Sequence, residues 1–581
     1  QEKPAEEDHS VPEEVQAFGD AAAALDSERP DTIEAARTAY EALSEEQKAR
    51  EDVAAGYAAL LDAESRLNAP MDLAPTAENA VYVSKSGNDD SNDGSQSTPY
   101  ATLAKAVKEA TDGTTIYLLS DLEITANARI TDKHLTITSE EGKTYTLTRG
   151  TDFEPTSDNH QSHYNPGFIE VTTNGSEASE NASSVTLTNI ILDDKGIHEG
   201  TYFAQTNVDV TGAANGNLDH VQDSMITAHG LENRAVHIIL GNGAVLKDFG
   251  GMSAVYGTTN AHITMQAGSE IYDEAVTDRK ASADQKVKGE TGPAGAVWLQ
   301  GAEFVMEDGA EIHDVVGRAV YADGGKASIG GTISGITGDK DMWQGASGVA
   351  IHVRGGADVT LTGTVADITA PSTDNTAVEA INSDFEAADG STILQVTNMM
   401  AVYAHDQGND YSHKMLLNGT ITDCVTTGSL MRSWYANITL GTSGVIEQCE
   451  ATGAGGLLYT NNGSQYTIRG KIIDNTASKG VMYLGNYGGG ETYATLEEGG
   501  LIANNSSYGV QINGANSGAY FVMNGGEISG NGTGVYMREK ATNHFIMNGG
   551  KIINNRSAGI SHTFGNRTYI QLNGGEISGN G

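Results

Sequence analysis

The sequence predicts a mainly β chain, a right-handed parallel β-helix preceded by a small α-helical domain. Three observations carry that prediction. The unit "NGGEISGNG" at Asn524 returns as "NGGKIINNR" at Asn548 and again as "NGGEISGNG" at Asn573, at intervals of 24 and 25 residues. A period of that length holds three short strands with Gly at the corners and leaves no room for crossover helices. The first seventy residues lack this repeat and are Ala/Glu-rich, with apolar residues at three-to-four spacing.

In chain order, "VPEEVQAFGDAAAAL", "DTIEAARTAYEAL" and "SEEQKAREDVAAGYAALLDAESRL" read as three helices, with a capping box from Ser44 to Gln47 opening the last. A linker, "NAPMDLAPTAEN", closes this domain, so residues 1–79 are helical domain and linker and 80–581 are the β-helix. No chemistry is expected of the helical part. From Ala80 the period changes: "VYVSKSGNDDSNDGS" is a strand and polar turn, and an amphipathic helix is expected near 99–111. Such a helix caps the open end of a solenoid, whose uncovered strands would template aggregation. The Asn88–Asp93 loop offers oxygens of the kind a structural calcium takes, without EF-hand spacing.

Anchoring on the Ile or Val of the repeat extends the series backward through Ile271, Ile312, Ile333, Val365, Ile393, Ile421, Ile446, Ile472, Ile502, Ile528, Ile552 and Ile577. The third residue after each anchor then runs from Val315, Ile336, Ile368 and Val396 through Cys424 and Cys449 to Asn475, Asn505, Asn531, Asn555 and Asn580. Apolar residues, then two Cys, then Asn form an inward stacking column. The two cysteines are expected on neighbouring coils as small buried thiols. The architecture is thus a pectate-lyase-like solenoid.

Charge narrows the function. A formal charge of −43 argues against nucleic acid and anionic membranes, both of which need Lys/Arg patches. No run approaches the roughly eighteen apolar residues of a spanning helix. The chain begins at Gln1 without a charged-then-apolar leader and ends inside a repeat. The expectation is a secreted protein, held at the cell surface through a further C-terminal region.

Three coils interrupt the monotony on the edge just after the anchor. "DEAVTDRKASADQKVKGETGPAG" follows Ile271, "TGDKDMWQGAS" follows Ile333 and "APSTDN" follows Val365. Long loops on a rigid scaffold are where function concentrates. The period-2 rule predicts an outward column of Trp298, Tyr321, Ala350, Glu379 and Tyr403 in the strands entered from this edge. A second column two residues on holds Gln300, Asp323, His352, Ile381 and His405, and Trp343 stands on the second excursion. Aromatic faces beside carboxylates and imidazoles suit sugars, so Trp343, Trp298, Tyr321, His352, Glu379 and Tyr403 are the candidate substrate-binding residues.

The third excursion holds two aspartates seven positions apart. Asp367 fills the second slot after its anchor, as Asp314, Asp423 and Asp474 do elsewhere, so a turn role suffices for it. Asp374 has no counterpart in the repeat. A short loop closed onto one edge brings two such carboxyls near one glycosidic bond, and at roughly 5–5.5 Å they suit a double displacement.

The helical module, "VYVSKSGNDDSNDGSQSTPYATLAKAV", the β-helix and "DITAPSTD" together resemble the catalytic region of glycoside hydrolase family 136, over essentially the whole chain. The resemblance implies a retaining, exo-acting lacto-N-biosidase that releases lacto-N-biose, Galβ1-3GlcNAc, from lacto-N-tetraose. It implies Asp367 as acid/base and Asp374 as nucleophile, though swapping the two fits the sequence equally well. It also implies an oligosaccharide substrate, chemistry without a cofactor or metal, and for some members a dedicated folding chaperone; the chain itself is expected to be a monomer.

Two rivals stand beside this reading. A calcium-dependent polysaccharide lyase needs a basic residue in the cleft, and Arg318, Arg354 and Lys340 lie nearby in sequence. A non-catalytic adhesin would use the column as a pure glycan-binding surface. The Asn-Thr-Asp, paired Asp, Gly-His-Gly and Arg-Ile-Lys series of polygalacturonases is missing from the chain.

Overall fold

The chain divides into two compact units, Gln1–Glu78 and Asn79–Gly581. The computed structural model describes residues 13–23, 30–41, 43, 45–48, 53, 56–57 and 60 of the first. Of the second it describes 79–150, 167–195, 224–250, 253–274, 286–287, 290–291, 295–338, 348–406, 412–453, 455–486, 490–514, 518–538, 542–563 and 568–581.

In the first unit, helices α1 (Glu13–Ala23), α2 (Pro30–Glu41) and α3 (Glu45–Lys48) are formed. Apolar residues at helical spacing meet in one small core of Val15, Phe18, Ala36, Leu43, Val53 and Leu60. Tyr40 stacks on Tyr57 with ring centroids 4.1 Å apart. Ser44, expected to open the capping box, lies outside the described residues.

The second unit is a parallel β-helix. Successive coils contribute strands to three parallel ladders, which among the described residues hold 17 strands, 15 strands and a third set of shorter strands. Coils stack in register because each buries its apolar residues on those of its neighbours, and a one-residue slip would turn that row outward. The predicted anchors pair one to the next without a break, from Ile271↔Ile312 and Ile333↔Val365 to Ile552↔Ile577. The same row continues upstream through Leu246, Leu192, Leu147 and Leu122.

The capping helix, α4, spans Leu103–Glu109, shorter than the expected 99–111. Its start is set by Thr102, whose side chain accepts the Lys105 N–H, while Asp89 accepts the amides of Ala101 and Thr102. Tyr100 meanwhile bridges Val83 as a strand residue. Leu103, Ala106 and Val107 close the end of the solenoid core. In the Asn88–Asp93 loop, Asp93 accepts hydrogen bonds from Thr98 and Ser95, which hold its carboxyl at about 2, below the usual carboxylate range.

The inward column explains the corner chemistry. The residue two after most anchors has positive φ: 52° at Asp314, 56° at Asp367, 53° at Asp423, 57° at Asp474, 58° at Asn504 and 54° at Asn554. Gly335, Gly530 and Gly579 take the same slot, so it is filled mostly by residue types that tolerate the left-handed region, with Gln395 (55°) and Gln448 (54°) as exceptions. This kink turns the next residue inward. There Asn475, Asn505, Asn531 and Asn555 each pass a side-chain N–H to the side-chain oxygen of the next Asn, ending at Asn580, at 2.9–3.2 Å. Each of those oxygens also accepts the backbone N–H of the Asn one coil earlier. Cys424 and Cys449 are free, buried thiols at the head of the ladder. The Cys449 thiol is pushed up by its contact with Cys424 and by burial.

Candidate functional site

The site is built on the outer face of the 15-stranded sheet. Register there carries one row through Tyr256↔Trp298, Trp298↔Tyr321, Tyr321↔His352, His352↔Glu379, Glu379↔Tyr403 and Tyr403↔Arg432. The row continues through Tyr459 to Tyr483. One expectation is corrected here: Ala350 does not belong to this row, and His352 takes its place. The strand Val349–Arg354 starts two residues early, pairing Val349 with Arg318, so Ile351 and not Val349 is the inward partner of Val320. Asp323 accordingly faces Arg354, at 3.9 Å, in the second row.

Exposure divides the row. Trp298 is 2% exposed, Tyr321 0% and His352 1%, although the register turns them to the outer face. Tyr256 packs on Trp298 at 4.2 Å, and the edge of Tyr321 meets His352 at 5.0 Å. Arg318 is buried against the Tyr321 ring, 4.9 Å from its centroid. Glu379 is nearly buried, 3.1 Å from His352 Nδ1. Tyr403, Arg432 and Tyr459 are partly exposed, and Tyr483 is buried again. Burial pushes the Tyr403 hydroxyl up, and the neighbouring Glu379 adds to it; burial pulls His405 down, opposed by Asp406.

The extra loop of the third excursion comes down on this partly exposed stretch. Its ends are fixed: Thr369 donates to Ile336 O, and Asn375 O accepts from Met400 N. Inside it, Asn375 N donates to Ser372 O and Asp374 N to Ser372 Oγ. Between those points the loop leans over one coil and touches the second. A Cβ placed on Gly428 would lie 3.1 Å from Thr373 Cβ, so the loop packs close enough here that a methyl group would push it back by a few tenths of an ångström. The Asp374 carboxylate stands 3.7 Å from the Arg432 guanidinium, with side-chain exposures of 61% and 31%. Arg432 in turn lies 5.1 Å over the Trp434 ring and 5.9 Å from that of Tyr459. His405 meets Trp434 edge to face at 5.5 Å, and the Trp434 indole N–H has no hydrogen-bond partner among the described residues.

Asp374 is thus an exposed carboxylate beside Arg432, whose guanidinium lies against the Trp434 and Tyr459 rings and whose strand neighbour is Tyr403. Asp367 is also exposed, at its left-handed corner. Trp343 and Lys340, with the second excursion from 339 to 347 and most of the first, lie outside the described residues. Sequence reasoning missed Arg432, Trp434 and Tyr459. The signal was available: counting the outward parity one coil past Tyr403, through "LMRSWYAN", lands on Arg432 and Trp434. Among the described residues no group of three or more His, Cys, Asp or Glu side chains is placed to hold a metal ion.

No protein-family model and no curated protein matches the chain. Among solved structures it is similar to a GH136 lacto-N-biosidase from Eubacterium ramulus, native protein, at 9% identity and a TM-score of 0.25, covering 94% of this chain and 74% of that one. The selenomethionine derivative of the same enzyme gives 11% and 0.18, over 98% and 81%. XylC in complex with xylose gives 10% and 0.24, over 76% and 83%. What the site can do therefore rests on the chain's own residues and geometry.

Proposed function

We propose that the chain is a retaining glycoside hydrolase of the lacto-N-biosidase type, with Asp374 as nucleophile and Asp367 as acid/base. The observation that supports the reading is the placement of Asp374: an open carboxylate on a corner loop without a counterpart in the repeat, beside Arg432 and the Trp434 and Tyr459 rings that flank it. A pyranose lying there sets its apolar CH face against the rings and its hydroxyls toward the flanking polar groups.

In the first step an Asp374 carboxylate oxygen attacks the anomeric carbon. The glycosidic C–O bond breaks, its electron pair goes to the leaving oxygen, and Asp367 gives that oxygen its proton. In the second, Asp367 takes a proton from water, the water oxygen attacks the same carbon, and the bond to Asp374 breaks. Neither step calls on a cofactor. Lacto-N-tetraose is the substrate of choice because of the sequence resemblance carried by "DITAPSTD" and its flanking segments. Secretion and a folding chaperone are proposals on the same footing.

Product analysis on a panel of defined oligosaccharides tests the reading. Release of lacto-N-biose from lacto-N-tetraose supports it; an unsaturated uronate product means a lyase, and binding without any product means a glycan-binding protein.

A further inference from the structure

We propose that Arg432 is the positioning residue of this site: together with Gly428 it latches the loop 370–375 across the intervening coil and fixes where the Asp374 carboxylate stands. The catalytic consequence rests on the function proposed above, whereas the latch itself does not.

Two independent contacts reach the same distant coil. Asp374 leads into the strand Thr376–Ile381, whose neighbours in the sheet are Met400–His405 and then Met431–Trp434. Arg432 is therefore two coils away, roughly 10 Å along the solenoid axis at ordinary strand spacing. A loop that merely closed its own corner would not cross that gap. Thr373 settles on Gly428 and Asp374 on Arg432, so neighbouring loop residues grip neighbouring parts of one coil. The guanidinium is itself confined, with Trp434 and Tyr459 as flat walls. Among its described neighbours in the row, Tyr403, Tyr459 and Tyr483, it is the one cation, and it stands where the loop descends. An ion pair this exposed adds little to global stability. Its effect is local, restricting a carboxylate that must meet a reacting carbon within a fraction of an ångström.

The test uses the full chain with Arg432→Gln, Arg432→Lys and Gly428→Ala, read by hydrogen exchange at the loop amides and by steady-state kinetics on lacto-N-tetraose. Arg432→Gln is expected to raise exchange at Asp374 and Asn375 by about tenfold or more with no change in melting. It should lower kcat by roughly 10–100-fold while KM moves less than about threefold, with Arg432→Lys recovering part of the loss. Gly428→Ala should raise exchange in the same amides. Because Arg432 acts through Asp374, Arg432→Gln added to Asp374→Asn should cost nothing further. Unchanged exchange in both Arg432→Gln and Gly428→Ala would overturn the latch. A double mutant slower than Asp374→Asn would overturn the positioning role, since Arg432 would then touch substrate itself. If the wild type cleaves no glycoside, the proposed function fails, and the exchange data still decide the latch.

Discussion

Asp374 and Arg432 meet at 3.7 Å although they belong to coils two apart in the solenoid. In a fold whose side chains ordinarily face neighbours one coil away, that pair marks where a loop has been laid along the axis. It also lies in the partly exposed stretch of the outer face, Tyr403, Arg432 and Tyr459, between Tyr321 and His352 on one side and Tyr483 on the other, all buried.

Replacing either aspartate separates chemistry from folding. Asp367→Asn keeps a residue type that the same left-handed corner already accepts at Asn504 and Asn554. Melting and circular dichroism should therefore stay near wild type in Asp367→Asn and in Asp374→Asn. Turnover of lacto-N-tetraose should fall about a thousandfold or more in each. An Asp367→Asn enzyme with normal turnover would leave Asp367 as a corner residue only.

Most of the scaffold was legible in the sequence because its rules are local and repeated. Every anchor from Ile271 to Ile577 and the Asn ladder follow from a single count, since each coil must bury the same slots as its neighbours. The count failed at Val349, where two buried apolar residues, Val349 and Ile351, compete for one inward position and the strand's starting point decides between them. The site was legible only in part. Asp374 could be flagged as extra to the repeat, but its partner Arg432 is set by how the loop leans, a three-dimensional choice with no periodic trace.

The ring at Trp434 predicts a binding defect. Trp434→Ala removes the ring against which Arg432 rests and should weaken lacto-N-biose binding about tenfold, or roughly 1.4 kcal/mol. Isothermal calorimetry on the product avoids interference from turnover. Unchanged affinity would take Trp434 out of the site.

Asn505 tests the scaffold. Asn505→Ala removes the acceptor of the Asn475 backbone N–H and the donor to Ile472 O, both buried. Stability should fall by about 2–4 kcal/mol, measured as a shift of the urea midpoint. A change within ~0.5 kcal/mol would mean that the ladder's hydrogen bonds are replaced by relaxed neighbours.

His229 predicts a pH dependence. Burial of its ring, with Nε2 cut off from solvent, pulls its pKa down to about 4, and Arg129 adds to the effect. The unfolded chain then binds the proton more readily than the folded one, so stability rises with pH between about 4 and 6.5. A fall in pH through that whole window costs about 3 kcal/mol from this group. The stability difference between wild type and His229→Gln should therefore shrink as pH drops from 7 to 4.5. A difference independent of pH would contradict the assignment.

In the proposed mechanism Asp374 attacks the sugar itself. Proton NMR during the first minutes of lacto-N-tetraose turnover tests it most directly. Attack by a carboxylate, followed by water entering from the face the leaving group vacated, retains configuration, so lacto-N-biose should appear first as the β-anomer and mutarotate afterwards. A first-formed α-anomer would contradict the account, because it requires water rather than Asp374 at the anomeric carbon.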